Sequence, residues 1–65
     1  MNIGDLVKIV NAPYGRKELT GTLAIIAELH GLNFWKDQIV SIHCLHDGGT
    51  IKTTSLGLEL VEEGG

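Results

Sequence analysis

The residues best equipped for chemistry in this chain stand together in His43-Cys44-Leu45-His46. Imidazole nitrogens and a thiolate are the usual ligands of zinc, which takes four of them, commonly from two spaced pairs. Along an extended backbone His43 and Cys44 point to opposite faces, and His46 falls with Cys44. A further ligand would have to come from His30 or from an acid such as Asp47. No second Cys or His pair stands at the required spacing. The expectation is no metal site and no cofactor, with Cys44 a small core residue and His43 a solvated strand residue. The same alternation argues against nucleophilic catalysis. A reactive cysteine needs exposure, a base within hydrogen-bond reach and a site for the oxyanion, whereas a thiol on a core face is inert. No serine–histidine–acid order stands out, and no glycine-rich loop is of the phosphate-cradling kind. No catalytic residue is assigned and no enzyme is expected.

Two loops offer binding chemistry instead. Gly31-Leu32-Asn33-Phe34-Trp35-Lys36-Asp37 holds two of the three aromatic residues side by side. Adjacent residues of a strand or turn cannot both face a core. One of Phe34 and Trp35 is therefore expected to cap an open end of the fold while the other is at least partly exposed. The alternative is that both plug the interior against Leu32 and Tyr14. Phe34, Trp35 and Tyr14 are the candidate partner-binding residues. The second loop, Tyr14-Gly15-Arg16-Lys17, sets a ring able to stack on a base beside two cations able to meet phosphates. With Lys52 these make the candidate nucleic-acid-binding set: Tyr14, Arg16, Lys17 and Lys52. Few charges release few counterions, so such binding would be weak and lost at moderate salt; a solvated loop tip is the plainer account.

The elements that must position these loops are short. The chain has 65 residues, 43% hydrophobic and 20% charged, which suits one small domain and is too apolar for a disordered tail. A chain of this size buries only about 60% of the surface that its unfolded form exposes. Five basic against eight acidic side chains give a net charge of −3, which disfavours nucleic acid as a partner. No apolar run reaches the roughly 18 residues of a membrane span, and MNIGDLVK lacks the layout of a signal peptide. No membrane partner is expected, and the single cysteine points to the cytoplasm.

Nine glycines against one proline punctuate runs rich in valine, isoleucine and threonine, the pattern of an all-β sandwich or barrel. Strands are expected at Asp5 to Val10, over a hairpin from Ile39 to Thr54, and at Leu58 to Val61 after a single turn at Ser55-Leu56-Gly57. The hairpin turns through two residues, Asp47-Gly48 or Gly48-Gly49, and either register sets Cys44 on the face of Ile51 and Thr53. Thr22 to His30 reads as a strand carrying Leu23, Ile25, Ala27 and Leu29 on one face. It also fits a helix capped by Thr22 and stopped by Gly31. The expected core is Val7, Ile9, Leu23, Ile25, Val40, Ile42, Cys44, Ile51, Leu58 and Leu60. The domain spans residues 1–61, and 62–65 form a frayed acidic and glycine tail.

From Gly4 to Ile26 the chain reads GDLVKIVNAPYGRKELTGTLAII. Gly4-Asp5 before the Val7 and Ile9 strand, a loop to Glu18, and Gly21 leading Leu23 and Ile25 resemble the KOW-type opening of small SH3-like barrels. The hairpin at HDGGTIKT and the closing LGLELVEE are similar to small phage-type SH3-like proteins of uncharacterised role. The resemblance implies an all-β, five-stranded SH3-like barrel, the third strand being the least fixed because the short segment after Trp35 also qualifies. In such barrels aromatic loops at the rim often form a peptide-binding surface, and exposed strand edges permit pairing into a homo-oligomer. The expected function is a non-catalytic interaction module that binds a protein partner or itself through the Phe34/Trp35 loop and a strand edge. KOW proteins also include ribosomal and transcription factors, which implies the alternative of a weak nucleic-acid or ribonucleoprotein accessory. The basic richness of the ribosomal members is absent here.

Overall fold

Short β-branched runs bounded by glycines leave few conformations open except paired strands, and the chain takes that course. The computed structural model describes residues 1–12 and 15–61. Strand β1 is Leu6–Ile9, β2 is Leu23–Leu32, β3 is Gln38–Cys44, β4 is Thr50–Thr54 and β5 is Leu58–Leu60. Single 3-10 turns stand at Lys17–Leu19, before β2, and at Ser55–Gly57, between β4 and β5. The strands form one antiparallel sheet in the order β4-β3-β2-β1-β5. The chain is thus all-β and five-stranded, as expected, and the Thr22 to His30 segment is strand from Leu23 onward rather than helix. Among the described residues the sheet is not closed into a barrel. β4 and β5 are its two free edges, joined in sequence by the Ser55–Gly57 turn but not laddered to each other. No helix among the described residues is long and apolar enough to cross a membrane. Pro13, Tyr14 and the expected tail at 62–65 lie outside the described residues.

The core is Val7, Ile9, Leu19, Ala24, Ile26, Val40, Ile42, Cys44 and Leu58, with Ile51 packed against it. Three expected members fall out of it. Leu23 is 40% exposed and Ile25 only half-buried, because Val7 pairs with Ala24, and directly opposite residues share a face. Ala24 and Ile26 therefore point inward. The alternation then breaks: Ile26 pairs with Ile42 but Glu28 with Ser41, leaving Ala27 as the extra residue of a β-bulge. Past the bulge Leu29 comes opposite buried Val40, so one face label could not run the length of β2. Leu60 pairs with Val7 and so faces inward, yet it is 47% exposed because β5 is a free edge.

Leu19 was absent from the expected core, since nothing in a polar loop marks it. The 3-10 turn drops its side chain fully into the interior. The Thr22 hydroxyl and amide both donate to the Leu19 carbonyl, at 2.6 and 3.0 Å, which fixes the entry to β2. The β3–β4 connection turns through four residues, Leu45 to Gly48, rather than the expected two. The Cys44 amide donates to the Gly49 carbonyl at 2.7 Å and the Gly48 amide to the Cys44 carbonyl at 2.8 Å. Gly48 takes φ +76°, a region closed to most side chains. The face assignment survives the longer turn, because Ile42 pairs with Ile51 and Val40 with Thr53. His46 does not share the face of Cys44: it stands exposed in the turn. Gly57 is buried for a steric reason. The Val10 and Asn11 amides both donate to its carbonyl, and a Cβ there would lie 2.5 Å from the Asn11 carbonyl oxygen.

Candidate aromatic interaction site

The β2–β3 hairpin ends in Asn33-Phe34-Trp35-Lys36-Asp37, and its backbone is held from one side chain. Asn33 Oδ1 accepts hydrogen bonds from the Trp35 and Asp37 amides, each at 2.9 Å. The Lys36 amide donates to the Asn33 carbonyl and the Asn33 amide to the Asp37 carbonyl, again at 2.9 Å each. An asparagine that bonds the amide two residues on is a recurrent turn device. The turn also requires Lys36 at φ 65°, the left-handed region that a residue with a Cβ occupies at a cost.

This strained, closed loop turns two large rings outward. Phe34 is 91% exposed and Trp35 76% exposed. Their ring centroids are 5.7 Å apart and their planes cross at 85°, an edge-to-face pair. The expected exposure of one ring holds for both, while the capping and plugging roles are corrected, since neither ring enters the interior. Two residues at the apex of a hairpin have no core to share, because the sheet they would cover ends before them. Leu32, also exposed, ends β2 two residues before Phe34. Tyr14, the third candidate, lies outside the described residues.

The basic candidates fare differently. Arg16 is shared between two carboxylates, its Nε 2.9 Å from Glu18 Oε1 and its second guanidinium nitrogen 3.0 Å from Asp47 Oδ2. The arginine thereby ties the β1–β2 loop to the β3–β4 turn. The hydrogen bond to Glu18 raises the guanidinium pKa further. The Gly49 amide, then Arg16, holds the Asp47 carboxyl below the usual carboxylate range. Lys17 is exposed in the 3-10 turn, and Lys52 is exposed on β4 opposite Ser41, on a separate element.

A contact that sequence reasoning missed lies between β2 and β3. His30 Nε2 and Ser41 Oγ share a hydrogen bond at 2.8 Å, and Glu28 Oε2 stands 3.7 Å from the same nitrogen. Only the bulge register could have revealed it, since it brings Glu28 opposite Ser41 and His30 onto the same face. In a hydrolytic triad the acid bonds the other ring nitrogen, orienting the imidazole that takes the serine proton. Here acid and serine meet one nitrogen, and Ser41 is buried, so the arrangement works as a clasp. The Gln38 amide nitrogen adds to it by donating to the His30 and Ile39 carbonyls. Cys44 is buried, as expected, and burial pushes its thiol pKa up. Among the described residues no group of three or more His, Cys, Asp or Glu side chains comes together as a metal would require.

Compared with family models, with curated proteins and with solved structures, the chain matches none.

Proposed function

We propose that the chain is a small SH3-like domain with a KOW-like opening, acting as a non-catalytic module that binds a protein partner or itself through the Phe34–Trp35 tip. The observation that carries this reading is the tip itself. A hairpin apex closed by four hydrogen bonds and a strained lysine holds two exposed rings. Backbone strain retained in one place asks for a use, and the few residues that carry most of an interface's energy are enriched in tryptophan. The SH3-like part is supported by β1 lying between β2 and β5, and by the short 3-10 turn joining β4 to β5. The free edges of β4 and β5 are a second surface for pairing. The lone buried cysteine supports a reducing, cytoplasmic setting.

Quenching of Trp35 fluorescence by acrylamide in dilute protein tests the reading. The chain has one tryptophan, so the signal is unambiguous. Ready quenching is expected, and a shielded Trp35 in a dilute single chain would overturn the assignment. The nucleic-acid alternative has less support, because Arg16 is already committed to Glu18 and Asp47. Salt-sensitive RNA binding that Arg16→Ala with Lys17→Ala abolishes would restore it.

A further inference from the structure

We infer that the partner of the aromatic tip is the tip of a second copy of this chain, forming a weak two-fold dimer. This rests on the reading of the tip as an interaction surface. A two-fold contact uses the same patch on both subunits, so the patch must complement itself. This one does so in shape and in charge. Phe34 and Trp35 cross at 85° with centroids 5.7 Å apart, which makes a right-angled corner. Two such corners interlock into a four-ring cluster in which each ring meets an edge or a face, the geometry aromatic rings prefer. Beside the rings stand one cation, Lys36, and one anion, Asp37, neither in an ion pair among the described residues. Rotation about a two-fold axis through the tip carries each Lys36 toward the partner's Asp37.

The area sets the strength. At their observed exposures the two rings offer roughly 250–400 Å², taking about 150–250 Å² for each buried aromatic. A standard interface uses about 800 Å² per partner, so even with Leu32 the contact sits at the weak end. The closed loop has little freedom left to lose, which favours such a small contact forming at all. Anionic partners fit less well, because the chain carries −3 and the tip contributes Asp37. The same charge makes two copies repel, and salt screens that repulsion.

The test is the molar mass of the full chain by sedimentation equilibrium from about 20 μM to about 2 mM, a range that brackets weak association, with acrylamide quenching of Trp35 alongside. The mass is expected to climb toward that of two chains while quenching falls. Phe34→Ser, which leaves the core intact and keeps the reporter, should hold the protein as a single chain. Lys36→Glu should weaken the dimer several-fold, and Lys36→Glu combined with Asp37→Lys should restore it. A mass that stays at one chain with Trp35 still quenched overturns the dimer and leaves the tip free for a different protein. A Trp35 shielded at the lowest concentration, with the mass at one chain, overturns both readings. Phosphatidylcholine vesicles that shift Trp35 emission at concentrations where the protein is a single chain would assign the tip to lipid and overturn the dimer.

Discussion

Lys36→Gly should stabilise the protein, and the gain can be worked from one backbone angle. Lys36 is the one non-glycine residue with positive φ among the described residues, at 65°. That conformation costs an L-residue about 1–2 kcal/mol. Glycine adopts it freely but loses about 0.5–1 kcal/mol more conformational entropy on folding. The difference leaves a gain of about 0.5–1 kcal/mol. For a domain of this length 1 kcal/mol moves the midpoint by about 4–8 °C, so Tm should rise by about 2–8 °C in thermal unfolding followed by circular dichroism. Lys36→Ala is the control, because it removes the same charge and keeps the Cβ, and it should gain nothing. Trp35 should stay open to acrylamide in both variants, since the Asn33 bonds that close the loop use neither the lysine side chain nor its charge. Equal midpoints for the two variants, or a lower one for glycine, would refute the claim that the loop is held at a conformational cost.

Three further predictions follow from the packing and the ion pairs. Ala24→Leu should cost about 1–3 kcal/mol by overpacking the interior, whereas Leu23→Thr should cost less than about 1 kcal/mol; the opposite ranking in urea denaturation would overturn the facing of β2 that the Val7–Ala24 pair sets. Asp47, through the Gly49 amide and Arg16, and Glu18, through its own backbone amide and Arg16, are held below the usual carboxylate range. The unfolded chain therefore binds these protons more readily, so their stabilisation is full at neutral pH and fades as the pH falls through that range and below it; Arg16→Met should flatten this acid limb in midpoint-versus-pH measurements. Cys44, buried and with its thiol pKa raised, should react with an aromatic disulfide reagent only as the fold opens, at a rate that climbs with urea. Rapid stoichiometric labelling of the native protein would contradict that burial.

Strand positions were legible because glycine and β-branched residues act locally: the hairpin expected from Ile39 to Thr54 runs from Gln38 to Thr54, and β1 and β5 differ from expectation only by a residue or so at their ends. What was not legible depends on counting across strands. Ala27 looks like any other member of an alternating run, and only its lack of a partner on β3 shows that it resets the face of β2. The misassigned Leu23 and Ile25, the missed Ala24 and Ile26, and the unseen His30–Ser41 clasp all trace to this pairing between strands. Leu19 escaped for a different reason, since a lone leucine in a three-residue turn has no period to betray it. At the tip, Phe34 and Trp35 were picked out by residue type, but their exposure follows from how far the hairpin outruns its neighbours. β1 pairs with β2 only as far as Ile25, while β2 continues to Leu32.

The place of β1 has a consequence for the route by which the chain folds. β2, β3 and β4 are successive hairpins, and their contacts close loops of modest length. β1 must also accept β5 from the far end of the sequence, with Val7 beside Leu60 and Ile9 beside Leu58. Closing that long loop carries an entropy cost that the local hairpins do not meet, so the β1–β5 seam should be among the last features to form, after the transition state has been passed. Substitutions there, such as Leu58→Ala, should then act mainly by hastening unfolding, while substitutions at Ile42 or Ile26 slow folding. The strand that comes first in the sequence would be the last to be completed.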